Sequence, residues 1–407
     1  MRNRELNAVL QGTLLLLFMC SCAFTVELNW EETTTVISGK DLLLTFNNTS
    51  VAVRDDDDIL HLVFLNNDDI MYGRLMPGSS VWEFCTFEHF NDDDLARRTK
   101  ASIAYFNDGD LIAIWVEGRG DRMQVVVSMS TDHGTSWDPP QAISDAGQNA
   151  ANPSLWTTES ATATKRAAIA WTDDSKGDIW VGICTWFDSG PGTWMDPFRL
   201  AETTPPDSAR DVSVSGLQKE ICACWEVGRA GDTSTDLYYS ITTDGGQKWL
   251  PNQELEIPHE SGRGSTGGGD PCVAYSQLDQ RLMIAYQSGH RIYRTESIDG
   301  STFDPRVELG PGMFAHLSHH KDVTAIAWEH FEGSPWDDCI KRPALAVTFD
   351  KFANTDLPFV MPGSESLWGA RQTAVKVSDN HIDLFWLECG KCSNCNNLLH
   401  RSAEIVR

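Results

Sequence analysis

Arg210 and Arg371 each stand 15 residues before an aromatic residue that closes a short apolar run, Trp225 and Trp386. Two guanidinium forks at matching positions suit a carboxylate or sulfate ligand, because the planar donors bind such anions two at a time. The other reading open to them is a local ion pair, with Asp211 the nearest acid in the chain. Pro271, preceded by Asp270, stands at the same spacing ahead of Tyr286, and Asn152 opens the corresponding segment ahead of Trp171. These four residues, Arg210, Arg371, Asp270 and Asn152, form the candidate ligand-binding set. Acids follow the aromatic positions: Glu117, Asp173, Glu226, Glu329 and Glu388. Paired carboxylates can cleave a glycosidic bond, one as acid and the other as base or nucleophile. Glu226 and Glu329 are the candidate acids. Tyr286 is a candidate nucleophile beside Glu226, although its position in the pattern also suits packing.

Such residues need a scaffold that repeats. Seven apolar runs end in an aromatic residue: Phe64, Trp115, Trp171, Trp225, Tyr286, Trp328 and Trp386. A second series, Trp82, Trp137, Trp194, Trp249 and Phe303, advances by 55, 57, 55 and 54 residues. Two markers sharing one period, with Gly, Asp and Asn turns between short strands, predict an all-β propeller with one four-stranded antiparallel blade per repeat. The turn before the second marker recurs. Ser130 to Trp137 carries Asp132 and Gly134; Thr242 to Trp249 carries Asp244 and Gly246; Ser297 to Phe303 carries Asp299. An Asp accepting backbone amides and a Gly at positive φ are the local chemistry of a tight turn.

These turns resemble the Asp-box, or bacterial neuraminidase repeat, of sialidase-like β-propellers. The resemblance implies that Asp132, Gly134, Trp137, Asp244, Gly246, Trp249 and Asp299 are structural and lie on the face away from an active site. It also implies carbohydrate as the ligand. The family further needs an arginine triad, an Asp acid/base and a Tyr–Glu pair. Its first arginine sits in Phe/Tyr-Arg-Ile-Pro, a tetrapeptide that does not occur here, and Arg54 falls too late in its strand to align. Three readings stay open: a sialidase-like glycoside hydrolase, a non-catalytic glycan- or protein-binding adhesion propeller, and a structural scaffold. Sialidases have six blades, whereas the repeat favours seven, with Thr33–Ser38 or Leu42–Phe46 completing the last blade. A six-bladed form with an added hairpin is the alternative.

The remaining signals bound the setting. With 58 acidic and 32 basic side chains the net charge is −26, which argues against nucleic acid as a partner. Residues 1–23 read as a signal peptide, leaving 24–407 as a single secreted or lumenal domain, with no membrane span after cleavage and a monomeric state expected. Nine cysteines follow the signal region, an odd number. Cys339, Cys389, Cys392 and Cys395 converge as disulfide candidates, with zinc the alternative. No cofactor and no metal site are expected. Asn47 to Ser50 holds overlapping glycosylation sequons, and Arg119-Gly120-Asp121 forms an adhesion-type tripeptide. Calcium is conceivable at the acid runs 55–58 and 92–94, where solvated turns are the plainer reading. The Gly-rich segment 262–269 lacks the ending of a phosphate loop and reads as a rim ahead of Asp270.

Overall fold

The computed structural model describes residues 27–38, 42–43, 51–67, 69–90, 97–106, 109–158, 164–187, 192–203, 207–229, 235–255, 268–276, 280–332, 340–349, 359–360, 370–389 and 395–406. The signal region, the sequons, the acid run 92–94, Cys339, Cys392 and most of the Gly-rich segment lie outside these residues. Among the described residues every regular element is a β-strand.

Strands β1 (Glu27–Trp30) and β2 (Thr34–Ser38) come first in the chain but belong to the last blade. Blade 1 follows with β3 (Leu42–Leu43), β4 (Ala52–Arg54), β5 (Leu60–Asn66), β6 (Asp69–Leu75) and β7 (Trp82–Thr86). Blade 2 is β8 (Arg97–Tyr105), β9 (Leu111–Arg119), β10 (Arg122–Ser130) and β11 (Gln141–Ala142). Blade 3 is β12 (Ala150–Thr157), β13 (Thr164–Asp173), β14 (Asp178–Phe187), β15 (Thr193–Trp194) and β16 (Phe198–Ala201). Blade 4 is β17 (Ser208–Leu217), β18 (Glu220–Gly228), β19 (Thr235–Thr242) and β20 (Gln253–Leu255). Blade 5 takes β21 (Gly268–Tyr275), β22 (Leu282–Ser288), β23 (Arg291–Ser297) and the first part of β24 (Val307–His320). Blade 6 takes the rest of β24 with β25 (Val323–Glu332), β26 (Ile340–Thr348) and β27 (Phe359–Val360). Blade 7 is β28 (Ala370–Val377), β29 (His381–Cys389), β30 (Cys395–Val406) and the N-terminal β1 and β2.

Two counts follow. Hydrogen bonding joins the described strands into six antiparallel sheets, the number of the sialidase-type alternative. One of the six has seven strands because β24 is shared: its residues up to Pro311 pair with β23 and those from Gly312 pair with β25. The ring therefore contains seven four-stranded units, each with one inner strand, and β28 returns to touch β4. The short spacing from Tyr286 to Trp328 in the sequence is the trace of this shared strand.

The aromatic markers explain the regularity. Each of the seven packs into a cluster with the blade before it, so the seven hydrophobic clusters lie at the seven junctions between units. The marker strands are apolar on both faces because blades cover them on both sides; Ile112, Ala113, Ile114 and Trp115 are all buried. Closure is by the chain ends: β1 pairs with β30 from Glu27↔Val406 to Trp30↔Ala403, and β2 pairs with β30 further along, which leaves fewer open sheet edges. Leu42–Leu43 joins blade 1 instead. Arg54, unsuited to the family's arginine motif, grips buried Asp383 of blade 7 through Nε and Nη2 at 2.7 and 2.8 Å, and His400 Nε2 lies 2.9 Å from the same carboxylate.

The inner strands are stitched to one another by side chains. The Val214 N–H donates to Ser154 Oγ at 3.1 Å, Val273 N–H to Ser213 Oγ at 3.1 Å, Leu317 N–H to Cys272 Sγ at 3.2 Å, and Val375 N–H to His316 Nδ1 at 3.3 Å. Each acceptor sits on one blade and each donor on the next. Amides on the channel edge of an inner strand have no neighbouring strand to receive them, so this belt satisfies groups that burial would otherwise leave unpaired.

Candidate functional site

Every stitched inner strand breaks register two residues before its stitch. The bulges fall at Thr99/Ser102, Ala151/Ser154, Arg210/Ser213, Gly269/Cys272, Met313/His316 and Arg371/Ala374. In five of them a non-glycine residue takes the left-handed conformation: Lys100, Asn152, Asp211, Asp270 and Phe314, with φ between 47° and 55°. That conformation costs most side chains about 1–2 kcal/mol, and Asn and Asp tolerate it best. Three of the five are Asn or Asp. A bulge re-aims side chains that a regular strand would bury or alternate. Here it brings Lys100, Asn152, Asp211 and Asp270 from four consecutive blades into one electrostatic group at the starts of the inner strands.

The contacts in that group are specific. Asn152 Nδ2 donates to Asp211 Oδ1 at 3.0 Å, from blade 3 to blade 4. The Asp270 N–H donates to Glu226 Oε2 at 3.1 Å, from blade 5 to blade 4. Arg210 Nε donates to Glu226 Oε1, its register partner. Gly269 permits the approach, since a Cβ there would lie 2.7 Å from Glu226 Oε2. Burial pushes the Asp270 carboxyl up to about 8; Asp211 and Glu226 add to the shift, and Arg210 and Lys100 oppose it. Burial also raises Glu226, with Asp211 adding and Arg210 opposing. Asp174, at the end of the blade 3 hairpin, is raised by burial, with Lys100 opposing and Asp211 adding. Burial lowers Lys100, and Asp211, Asp174 and Asp270 hold it back. Asp270 therefore keeps its proton near neutral pH within a cluster of acids, a donor poised for general acid chemistry.

The structure thus brings Arg210, Asn152, Asp270 and Glu226 together. Arg210 and Arg371 hold one register position, opposite Glu226 and Leu387 respectively, as their spacing suggests. The side chain of Arg371 is not among those described. Arg210 is in an ion pair, with Glu226 rather than Asp211 as its hydrogen-bonded partner. The other acids of the repeated position are held elsewhere. Glu117 accepts from Arg98 Nε and Trp115 Nε1 at 3.1 and 2.9 Å. Asp173 closes its own turn through Ser175, Glu388 accepts from Asn397, and Glu329 accepts from Lys341 Nζ at 3.0 Å. Tyr286 is buried and stacks on Tyr293 with ring centres 5.9 Å apart. Its hydroxyl is raised by burial, with Arg306 opposing.

Lys100 and Asp211 are the site residues that counting along the sequence passes over. A signal for them is present: polar-x-Ser/Cys, as Lys100-x-Ser102, Asn152-x-Ser154, Asp211-x-Ser213 and Asp270-x-Cys272. It pairs the bulge residue with the small side chain at the stitch position.

The recurrent turns have one geometry. Asp132 Oδ1 accepts from Ser136 N and Ser130 Oγ, both at 2.8 Å; Asp244 Oδ1 accepts from Lys248 N at 3.0 Å and Thr242 Oγ1 at 2.8 Å; Asp299 Oδ1 accepts from Ser301 N at 2.8 Å and Thr302 N at 2.7 Å. Gly134 and Gly246 take φ of 72° and 94°. Trp137, Trp249 and Phe303 pack at the junctions with the preceding blades. Among the described residues Cys85, Cys184, Cys222, Cys224 and Cys272 are free thiols. The side chains of Cys389 and Cys395 are not described, but their backbones are register partners at the end of the β29–β30 pair. Gly120 and Asp121 form the exposed two-residue turn between β9 and β10.

No family model matches the chain, and no curated protein matches it. Solved structures do. The polysaccharide lyase Uly1 aligns with a TM-score of 0.58 at 11% identity, covering 92% of this chain and 99% of that one. The endosialidase of phage phi92 aligns at 0.52 and 10% identity, over 93% of this chain and 70% of that one. The α-L-arabinanase of Penicillium chrysogenum, solved with arabinobiose, aligns at 0.51 and 13% identity, over 74% and 94%. At such identities the likeness concerns the fold alone, and in fold this chain is a sialidase-like β-propeller.

Proposed function

We propose that this chain is a secreted, carbohydrate-directed propeller that hydrolyses glycosidic bonds at the channel mouth. The observation that carries the reading is Asp270, a carboxyl held up to about 8 amid Asp211 and Glu226 on neighbouring strands. Asp270 is the general acid that protonates the leaving oxygen. Asp211, aimed by the Asn152 amide, is the second carboxylate, acting as base or nucleophile on the opposite side of the sugar. Arg210 pairs with Glu226 and opposes the rise that burial and Asp211 impose on that acid. The fold shared with carbohydrate-acting propellers supports the substrate class, and the apolar N-terminal stretch supports secretion. The absent Phe/Tyr-Arg-Ile-Pro motif favours a second reading, a glycan-binding module without turnover.

A panel of fluorogenic aryl glycosides, run beside a glycan-binding array, separates the two. The expected result is turnover of at least one glycoside, reduced about a hundredfold or more in Asp270→Asn with binding retained. Binding without turnover in the wild type would sink the hydrolase reading.

A further inference from the structure

Glu226 stands on β18, one residue after the marker Trp225. Side chains alternate along a strand, so Trp225 packs toward blade 3 and Glu226 turns the other way, toward blade 5. It is buried, and both of its oxygens are taken. Oε1 accepts from Arg210 Nε on the inner strand of its own blade. Oε2 accepts from the Asp270 N–H on the inner strand of the next, at 3.1 Å. Glu117 in blade 2 instead accepts from Arg98 and Trp115 of its own blade. The blade 5 ladder skips Asp270, passing from Gly269↔Gln287 to Cys272↔Ala285, and Pro271 has no amide to offer. Asp270 also holds φ at 48°, a conformation that lasts only where the surroundings impose it. The Glu226 carboxylate supplies that constraint. A Cβ on Gly269 would lie 2.7 Å from Glu226 Oε2, whereas Thr235 Oγ1 would be 3.7 Å away. The φ of Gly269 lies outside the left-handed region, so this glycine serves to make room for the carboxylate.

We propose that Glu226 is a positioning residue, neither proton donor nor nucleophile: its carboxylate clamps the Asp270 bulge to blade 4 and so fixes the separation of Asp270 from Asp211. Asp211 follows Arg210 in the chain, so one carboxylate ties the two acid-bearing strands together. In glycoside hydrolysis that separation decides whether a water or the second carboxylate attacks the sugar. Asp270 as the acid is taken from the hydrolase reading above, on which this inference rests. Glu226→Gln keeps an oxygen to accept the Asp270 amide, and half-exposed Arg210 can turn toward Asp211. Glu226→Ala keeps none.

The test uses the full-length protein and two readouts: hydrogen exchange at the Asp270 amide, followed by mass spectrometry, and kcat on aryl glycosides. Turnover is measured at about pH 5.5, where Asp270 holds its proton. In Glu226→Ala the amide should exchange at least about tenfold faster and kcat should fall about 10–100-fold, while Glu226→Gln keeps both within about threefold of wild type. Gly269→Ala drives the carboxylate away and should behave as Glu226→Ala does. Combined, the two should cost no more than either alone, because the added Cβ then has no carboxylate to meet. Should Glu226→Ala fail to fold, Gly269→Ala carries the same test. An Asp270 amide equally protected in these variants would overturn the clamp, as would losses that multiply in the double variant. A Glu226→Gln enzyme as slow as Glu226→Ala, with the amide still protected, would make Glu226 a catalytic residue and overturn the positioning role. If the wild type turns over no glycoside, the hydrolase reading fails, and the exchange rates alone decide whether Glu226 holds the bulge.

Discussion

The aspartates of this propeller have opposite fates at its two faces. In the turns between third and fourth strands, Asp299 accepts from two backbone amides and Ser297 Oγ, and its carboxyl is held well below the usual range, mainly by the Thr302 and Ser301 N–H groups. Asp132 and Asp244 are likewise lowered. At the channel mouth, Asp270 is pushed up to about 8 by burial and neighbouring acids. One residue type serves both places because the backbone around it differs. The turn offers amides to an ionised group, while the bulge crowds carboxyls together with little solvent. A net charge of −26 therefore says little about chemistry, since acids in the turns and acids in the mouth count alike.

The largest contrast is expected in activity. Asp270→Asn should lower kcat by about 10²–10⁴, the usual range for loss of a positioned general acid, while Asp299→Asn should leave it near wild type. Stability should respond in the reverse sense. The folded protein retains a proton on Asp270 that the unfolded chain releases above the ordinary Asp range. Its contribution is thus fully present at low pH and declines as pH rises toward about 8. Denaturant titrations between pH 4 and 9 should show this decline in the wild type and a shallower one in Asp270→Asn, where the raised Glu226 and Asp174 remain. An identical slope in both would show that Asp270 does not hold the proton.

The next contrast pits packing at the turns against packing at the mouth. A Cβ on Gly246 would meet Ile183 Cγ1 at 2.6 Å from the neighbouring blade, at a φ of 94°. Gly246→Ala should cost about 1–3 kcal/mol in stability, from left-handed strain and overpacking, with kcat unchanged in the folded fraction. A change in kcat larger than that in the folded fraction would couple the two faces.

These contrasts also mark what the sequence reveals. The blades are legible because one physical demand, an aromatic residue packed on the blade before, writes a marker such as Trp115 or Trp328 into every repeat. The turns are legible because Asp, Gly and an aromatic must fall at fixed offsets within one hairpin. The mouth is harder to read. Its residues are set by register across blades, and the hairpins joining inner to second strands differ in length. A fixed count back from Tyr286 lands on Pro271, whereas the register partner equivalent to Arg210 is Gly269. The merger of two blades through β24 leaves only the short step from Tyr286 to Trp328 as its trace, since hydrogen bonding and not composition makes Val307–His320 continuous. Glu117 and Glu329 share their repeated place with Glu226 or its neighbour, but only partners reveal that Arg98 and Lys341 hold them.

The smallest effect concerns a third use of carboxylate, at the junction of blades 1 and 2. Asp55 is buried, accepts from Ile59 N at 2.9 Å, and meets His133 Nδ1 at 2.7 Å and His61 Nε2 at 3.1 Å. His61 is lowered by burial, and its Nδ1 lies 2.7 Å from Tyr72 Oη. His133 is raised, first by its bond to Asp55, and Asp57 and Asp132 add to this. Its imidazolium therefore ties blade 2 to blade 1 at mildly acidic pH. That contribution is complete below the ordinary His range and disappears as pH rises through the raised folded value. His133→Ala should flatten the stability profile on this side only. On the acid side, Asp55 is lowered, its contribution being present above the ordinary Asp range and lost as pH falls through the depressed value. Because His133 is one-third exposed, the effect should be a small shift in Tm between pH 5 and 8, with turnover of any glycoside unaffected. A pH-dependent loss of activity in His133→Ala would mean that the mouth senses the opposite face after all, and the division between structural and chemical carboxylates would no longer hold.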